Sequence, residues 1–479
     1  MRVSGSATSL VVSLYMDSHT LLQRLTELIQ PHRAQQLAKA HGWYQRRGKI
    51  APFEFLFSVV GQGSAMELTL NAQASALSET VSRQALDQRY NPAAVPFFQA
   101  AFQEALATTL TWKIDSTMVR LLQQRFAAVR LFDSTHCSCS EALAKIFPGC
   151  GGGGGQAGFK VLLSYDYAAG QLHPLAVVPA KRSDQGLADT AAQQVGPQEL
   201  GLWDKGFYKA GALRDIHQRG GYFLVPWARS VSVWELDPQG QRPDQPLEVA
   251  PALKASTQAC VEWQAVELGQ TQNSRLGPVR LVAFRLPEEN ANRRRAQWRE
   301  KCRTYGRQPT AAALQLAGWL ILLTNAPVEL LPTAALSYLY RVRWQIELVF
   351  KQFKSVLRLN VLPSRNDCRV QGEIWARLLA ALLTFVWYQH VNVVSLRLYE
   401  RETSFAKVAK LLQQHGQTIV RTLFTARERI ASEFRNLWKK LLKLARKERQ
   451  PNRPTTWENV CAHWLEAPDR VKSKAQLHH

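Results

Sequence analysis

Apolar positions along the chain fall into distinct textures. In residues 17–120 they recur every three or four positions, as in Leu21, Leu22, Leu25, Leu28 and Ile29, so this region is expected to be mostly helical. Residues 69–76 and 80–90, separated at Leu77-Ser78-Glu79, read either as a helix-turn-helix pair or as members of a plain bundle. The second of them carries Ser82, Arg83, Gln84, Gln88 and Arg89, side chains able to reach phosphates or base edges. From about Arg125 the pattern shortens. Residues 127–133 and 199–204 are brief apolar runs that each end in a carboxylate, Asp133 and Asp204. Residues 159–167, 171–179 and 222–226 read as strands, and residues 184–194 and 208–219 as helices. Glycines 151–155 suit a loop, but no Gly-Lys-Ser/Thr follows to make a phosphate-binding P-loop.

Residues 227–316 predict further strands at 231–235, 259–268 and 279–286, then a basic cluster of Arg293, Arg294, Arg295, Arg299, Lys301, Arg303 and Arg307 around Trp298. A buried strand at 319–324 and a long helix at 333–357 come next. Helices fill the remainder and end in the basic run 439–449, read as a solvated face of an amphipathic helix on Trp438, Leu441, Leu442 and Leu444, which is compatible with DNA contact. No internal repeat is visible.

Composition narrows the class. In 479 residues, 60 Lys and Arg face 37 Asp and Glu, a net charge of +23 that calls for a polyanion, either nucleic acid or an anionic membrane. Fourteen Trp, 19 Phe and 12 Tyr need a core, which excludes a disordered polyelectrolyte. The longest apolar stretch, around residues 376–387, is broken by Arg377 and too short for the ~20 residues of a spanning helix. Residues 9–15 make a poor signal sequence. Met16 followed by Asp17-Ser18-His19-Thr20 opens a better helix, so the first fifteen residues are expected to be dispensable. Seven scattered Cys read as free thiols in a reducing cytoplasm, and His136-Cys137-Ser138-Cys139 lacks the second Cys pair of a structural zinc site.

The chemistry concentrates on one helical stripe. At 100° per residue from Tyr340, Arg343 falls at about −60°, Glu347 at −20°, Lys351 at +20° and Lys354 at −40°. Val342, Ile346, Val349, Phe353 and Val356 fall on the opposite side, so one face anchors in a core. A solvated face with i,i+4 ion pairs explains such a stripe, and a cap or turn explains an Asp after a strand. All three acids together suit another need. Mg²⁺ prefers carboxylate oxygens, two ions ~3.5–4 Å apart can clamp both oxygens of a displacement at phosphorus, and Arg and Lys grip flanking phosphates.

Tyr340, Arg343, Glu347 and Lys354 reproduce the pattern Y-x2-R-x3-E-x6-K, and at that point the sequence resembles the DDE transposases of the insertion-sequence-4 family. Leu131-Phe132-Asp133-Ser134-Thr135 is similar to the block with the family's first catalytic Asp, and Leu202-Trp203-Asp204-Lys205-Gly206-Phe207 to the block with the second. Leu322-Leu323-Thr324-Asn325 is similar to the strand before the signature helix, and the likeness spans about residues 125–390.

The resemblance implies an α/β fold: an RNase H-like catalytic core, residues 125–226 and 317–390, interrupted by a mostly β insertion at 227–316. A helical N-terminal region, 1–124, would bind element ends, and a helical C-terminal region, 391–479, would serve dimerisation. It implies cut-and-paste transposition in a bacterial cytoplasm, on the nucleoid, through nicking, a hairpin and strand transfer. Asp133, Asp204 and Glu347 would be catalytic and would ligate Mg²⁺ (or Mn²⁺), two ions in all. Tyr340, Arg343, Lys354, Trp319, Arg83 and Arg89 would contact DNA, with Trp319, or its rival Trp298, stacking on a flipped base. The partners would be terminal inverted repeats, target DNA and a second copy of the chain, with no membrane. Two alternatives stay open: an RNase H-like metal nuclease that does not transpose, and a DNA-binding protein derived from a transposase.

Overall fold

The computed structural model describes residues 30–448 except 64–68, 111–123, 152–154, 168–170, 356–361, 363, 365, 400 and 426, together with Leu21, Leu25, Glu27 and Leu28. The expected dispensable segment 1–15 lies outside the described residues. Among the described residues, nine strands build one sheet: β1 (Val129–Ser138), β2 (Gly158–Asp166), β3 (Gln171–Pro179), β4 (Leu200–Leu202), β5 (Tyr222–Pro226), β6 (Val233–Glu235), β7 (Cys260–Leu268), β8 (Leu276–Arg285) and β9 (Trp319–Thr324). Their spatial order is β3-β2-β1-β4-β5-β9-β8-β7-β6. β1, β4 and β5 run parallel, and every other neighbouring pair is antiparallel. The molecule is thus a mixed α/β protein around one large mixed sheet.

Both faces of the sheet are buried, which is why its short strands read as continuous apolar runs. Side chains alternate between two cores. Leu131, Leu202, Leu224, Val282 and Leu322 point to a core shared with the N-terminal helices and the helix Asp367–Tyr399. Phe132, Trp203, Phe223, Val225, Leu281 and Leu323 point to the other, shared with the helices Ala188–Ala192 and Ala210–Gln218. A third cluster joins Trp387 and Val391 to Phe434, Trp438 and Leu441, so the basic helix Arg427–Leu444 does pack on an apolar stripe. Leu444, assigned to that stripe, is instead exposed. The helix Asp367–Tyr399 is long and apolar enough to cross a bilayer by length and composition. Two thirds of its most apolar stretch is buried inside the protein, and Glu373 and Arg377 are buried with it, so it serves as a central core helix.

Three expectations change. β1 does not end at Asp133. Its parallel partner β4 ends there, at Leu131↔Leu202, while β1 continues to Ser138 against β2. The segment 227–316 adds β6–β8 to the same sheet through β8 and β9, and it also holds the helices Val249–Ala255, Glu288–Thr304 and Ala311–Leu316. Its basic cluster is largely the helix Glu288–Thr304, whose one buried residue is Ala291. A helix that polar carries no apolar period to announce it. The long helix 333–357 is divided at Arg343 into Thr333–Val342 and Trp344–Ser355. Arg343 donates to Tyr340 at 3.1 Å and Ile346 to Arg343 at 3.2 Å, a tightened turn in place of full α-helical bonding.

Candidate active site

Three elements deliver three carboxylates to one arginine. Asp133 projects from β1 just past the point where β4 leaves it, and one of its oxygens accepts the Ser134 N–H at 2.8 Å. Asp204 follows β4 and caps a short turn, accepting the Gly206 N–H at 3.1 Å, so the cap reading holds for it beside any functional one. Glu347 lies in the first turn of Trp344–Ser355. Ile346 and Val349 anchor this helix in the core, as the stripe required; Phe350, which the stripe did not place there, is buried with them, and Val356 and the Phe353 side chain lie outside the described residues.

The Arg343 guanidinium sits among the three acids. It is hydrogen-bonded to Glu347 and stands 3.7 Å from Asp133 and 3.9 Å from Asp204. Its Nε is buried and has no hydrogen-bond partner among the described residues. Burial works against the Arg343 charge, but Tyr340, Glu347 and Asp204 outweigh it and hold the pKa above the ordinary arginine value. The Asp133 carboxyl is pushed up to about 7. Burial is the main cause, opposed by the Ser134 hydrogen bond and Arg343 and aided by the other two acids. Burial likewise pushes the Tyr340 phenol up to about 12, so it keeps its proton near neutral pH and can donate to an anion. Its ring lies 5.8 Å from the Arg343 guanidinium. Lys354 is half-buried, close enough to His136 on β1 to help hold that imidazole's pKa down, after burial, the main cause.

This donor set fits a hard divalent cation. It offers only carboxylate oxygens, it already surrounds a positive group, and Mg²⁺ keeps several waters and needs few protein ligands. The cage is not preformed: among the described residues, no three His, Cys, Asp or Glu side chains stand close enough to hold an ion by themselves.

A fourth carboxylate, not anticipated from sequence, borders the site. Asp184 accepts the Ser134 hydroxyl at 2.6 Å and the Lys160 ammonium at 2.9 Å. A Cβ at Gly206 would meet it at 3.3 Å, so Asp184 stands beside the Asp204 turn. Lys-Arg-Ser-Asp before a weak helix carries no signal of this; only the fold brings residue 184 beside 134 and 206.

The other proposed DNA contacts scatter. Arg83 is exposed on the short helix Arg83–Asp87, which follows Leu70–Ser75 in a helix-turn-helix-like pair. Arg89 turns inward: its guanidinium lies 3.9 Å over Trp43 and donates to the Trp43 carbonyl at 3.2 Å. Trp319 opens β9 as a core ring, only 4% exposed, with Arg285 4.4 Å over it. Trp298 is half-exposed, with Arg229 at 5.6 Å and Lys301 at 5.9 Å from its ring.

Three carboxylates gathered around one arginine on a mixed sheet suit phosphoryl transfer, and the comparisons say which kind. Residues 124–383 match the family model described as the transposase DDE domain, so the chain belongs to that family. The transposase for insertion sequence element IS231B of Bacillus thuringiensis subsp. berliner is 25% identical over 461 residues, covering 93% of this chain and 95% of that protein. The transposase for insertion sequence element IS1151 of Clostridium perfringens is 24% identical, covering 82% and 86%. A solved piggyBac transposase synaptic complex with hairpin DNA aligns over 91% of this chain and 87% of its own, at 10% identity and a TM-score of 0.44. The chain is an insertion-sequence DNA transposase, an enzyme of DNA cleavage and strand transfer whose family uses divalent metal.

Proposed function

We propose that this transposase cuts and joins DNA at Asp133, Asp204 and Glu347, which hold two Mg²⁺ ions, and that Mn²⁺ substitutes. The observation that carries this reading is the convergence of the three acids on Arg343. The ions supply Lewis-acid activation of the attacking oxygen and stabilisation of the leaving one. The chain's own residues do the rest. Asp133, Asp204 and Glu347 would hold the ions in place. Arg343 exchanges its carboxylates for a non-bridging phosphate oxygen, a trade its fork geometry favours. Tyr340 donates its hydroxyl to the same phosphate, and Lys354 holds a neighbouring one.

Each step is the same in-line displacement. In the first, a water oxygen bonds to phosphorus as the 3′ oxygen leaves with a proton. In the next, that 3′ hydroxyl bonds to a phosphorus of the opposite strand to form a hairpin, and the flanking DNA leaves with a 3′ hydroxyl. Water then bonds to the hairpin phosphorus and frees the element's 3′ hydroxyl again, which bonds to a target phosphorus as the target's 3′ oxygen leaves with a proton.

The same reading assigns β1–β5, with β9, to an RNase H-like core and 227–316 to an insertion within it. Residues 1–124 bind element ends, and residues 391–479 serve a homodimer that synapses two ends, in the cytoplasm on the nucleoid. The test uses the full chain and a duplex made from the inverted repeats bordering its gene. Glu347→Gln should keep duplex binding and lose Mg²⁺-dependent nicking by roughly a thousandfold, the several kcal/mol a metal ligand supplies. Nicking at the wild-type rate would refute the triad. Nicking without any joined product in the wild type would favour a nuclease.

A further inference from the structure

The helix Glu288–Thr304 treats its cations in two ways. Arg293 pairs with Glu289 at 3.0 Å, Arg295 with Glu288 at 2.7 Å and Arg303 with Glu300 at 2.8 Å. Arg294, Trp298 and Lys301 share a different stripe, within about 60° of one another at 100° per residue. That stripe is turned toward the active site. Arg294 is within electrostatic reach of Tyr340, and Lys205, the residue after Asp204, is within reach of Arg229, Lys301 and Arg294.

Among the described residues, none of Lys205, Arg229, Arg294 and Lys301 makes an ion pair with a carboxylate. The two arginines are held only by backbone oxygens, Arg229 by Ala313 at 3.1 Å and Arg294 by Trp319 at 2.9 Å. Burial, and then repulsion by Arg294, lowers the pKa of Arg229, and burial lowers that of Arg294. Beside Arg229 and Lys301, the Trp298 indole Nε1 is buried and has no acceptor among the described residues. A buried donor left unpaired is costly and points to a missing partner. All three acids of the helix, Glu288, Glu289 and Glu300, are taken by ion pairs off that stripe. Lys205, Arg294 and Lys301 are exposed and Arg229 is half-buried, so the cluster is open to a ligand from solution. Four cations without a carboxylate partner, beside an unpaired donor, suit an anion with several oxygens, and the substrate of this enzyme supplies one at every nucleotide.

We propose that Lys205, Arg229, Arg294 and Lys301, with the Trp298 indole N–H, form a second phosphate subsite that takes the phosphodiesters next along the reacting DNA strand. This rests on the strand reacting at Asp133, Asp204 and Glu347, as proposed above. The subsite sets the path of the strand out of the triad, and it is built by the segment between β5 and β9 together with the Asp204 turn.

The test is a metal-free titration of the full chain with a fluorescein-labelled duplex of random sequence bearing a single-stranded tail, repeated across a range of KCl. Arg294→Gln with Lys301→Gln should reduce the slope of log K against log salt by about 2, near 0.9 per lost phosphate contact, and weaken binding about tenfold or more. Arg293→Gln with Arg303→Gln removes the same charge from the paired side and should leave the slope unchanged. Equal changes in the two double variants, or none in either, overturn the proposal. Arg294→Lys with Lys301→Arg guards against a folding defect: it should keep the slope, and its loss there would also overturn the subsite. Because no cleavage is read, the outcome is separable from the triad. If the slopes behave as expected while Glu347→Gln still nicks, the triad is wrong and the subsite stands.

Discussion

Arg280 and Arg343 are both arginines set against carboxylates, yet one is closed and the other open. Arg280 on β8 is 6% exposed and uses its whole fork. It donates to Glu262 at 2.8 Å, to the Ala326 and Leu331 carbonyls at 3.0 and 2.9 Å, and to Thr333 at 2.9 Å. Thr333 in turn donates to the other Glu262 oxygen at 2.6 Å, so the network is complete. Arg343 faces three acids, reaches two of them only at long range, and keeps a buried Nε with no partner among the described residues. A closed pair stabilises a fold. Three acids around one cation leave an excess of negative charge, which on the proposed reading metal ions would balance. The same contrast separates the two sides of the helix Glu288–Thr304.

Stability measurements can break this comparison. Arg280→Gln should cost about 3–5 kcal/mol in urea melts, because it breaks the network of a buried guanidinium and leaves the half-buried Glu262 without its cation, and Mg²⁺ should not change that cost. Arg343→Gln should cost less, and millimolar Mg²⁺ should recover most of the loss by supplying the missing charge. Equal costs, both indifferent to Mg²⁺, would put Arg343 in the same structural class as Arg280.

A smaller effect sharpens the closed class. Arg130 and Glu199 form a two-pronged pair, with both bonds at 2.7 Å, within electrostatic reach of His173 on β3. Burial first, and Arg130 second, push the His173 pKa down to about 4 from 6.5. The folded state therefore refuses a proton that the unfolded chain accepts. Stability from this group is fully present above pH 6.5 and is lost as pH falls through about 4. The drop is at most about 3 kcal/mol. His173→Phe should flatten the acid limb of a stability-against-pH curve by that order, and an unchanged limb would show that His173 is solvated.

Much of the site was legible in the sequence because helical phase is rigid. The Tyr340–Lys354 stripe placed a cationic, acidic face opposite Val342, Ile346 and Val349, and these three are buried. Strands 159–167, 171–179, 222–226 and 319–324 were legible because a sheet buried on both faces leaves compact apolar runs. What stayed hidden depends on long-range contact. Asp184 meets Ser134 and Lys160 only after β1 and β2 pair. Arg89 resembled a DNA contact because sequence cannot show that Trp43 lies beneath it. The break at Arg343 has no Gly or Pro to mark it, and the helix Glu288–Thr304 has almost no apolar face to betray it.

The most direct test of the central claim replaces Mg²⁺ with Fe²⁺ and lets it cut the protein. With ascorbate and peroxide, radicals formed at the bound iron should cleave the full chain near residues 133, 204 and 347 together, and excess Mg²⁺ should suppress all three cuts. Cleavage elsewhere, or cuts at these places that Mg²⁺ does not suppress, would contradict a shared metal site on Asp133, Asp204 and Glu347.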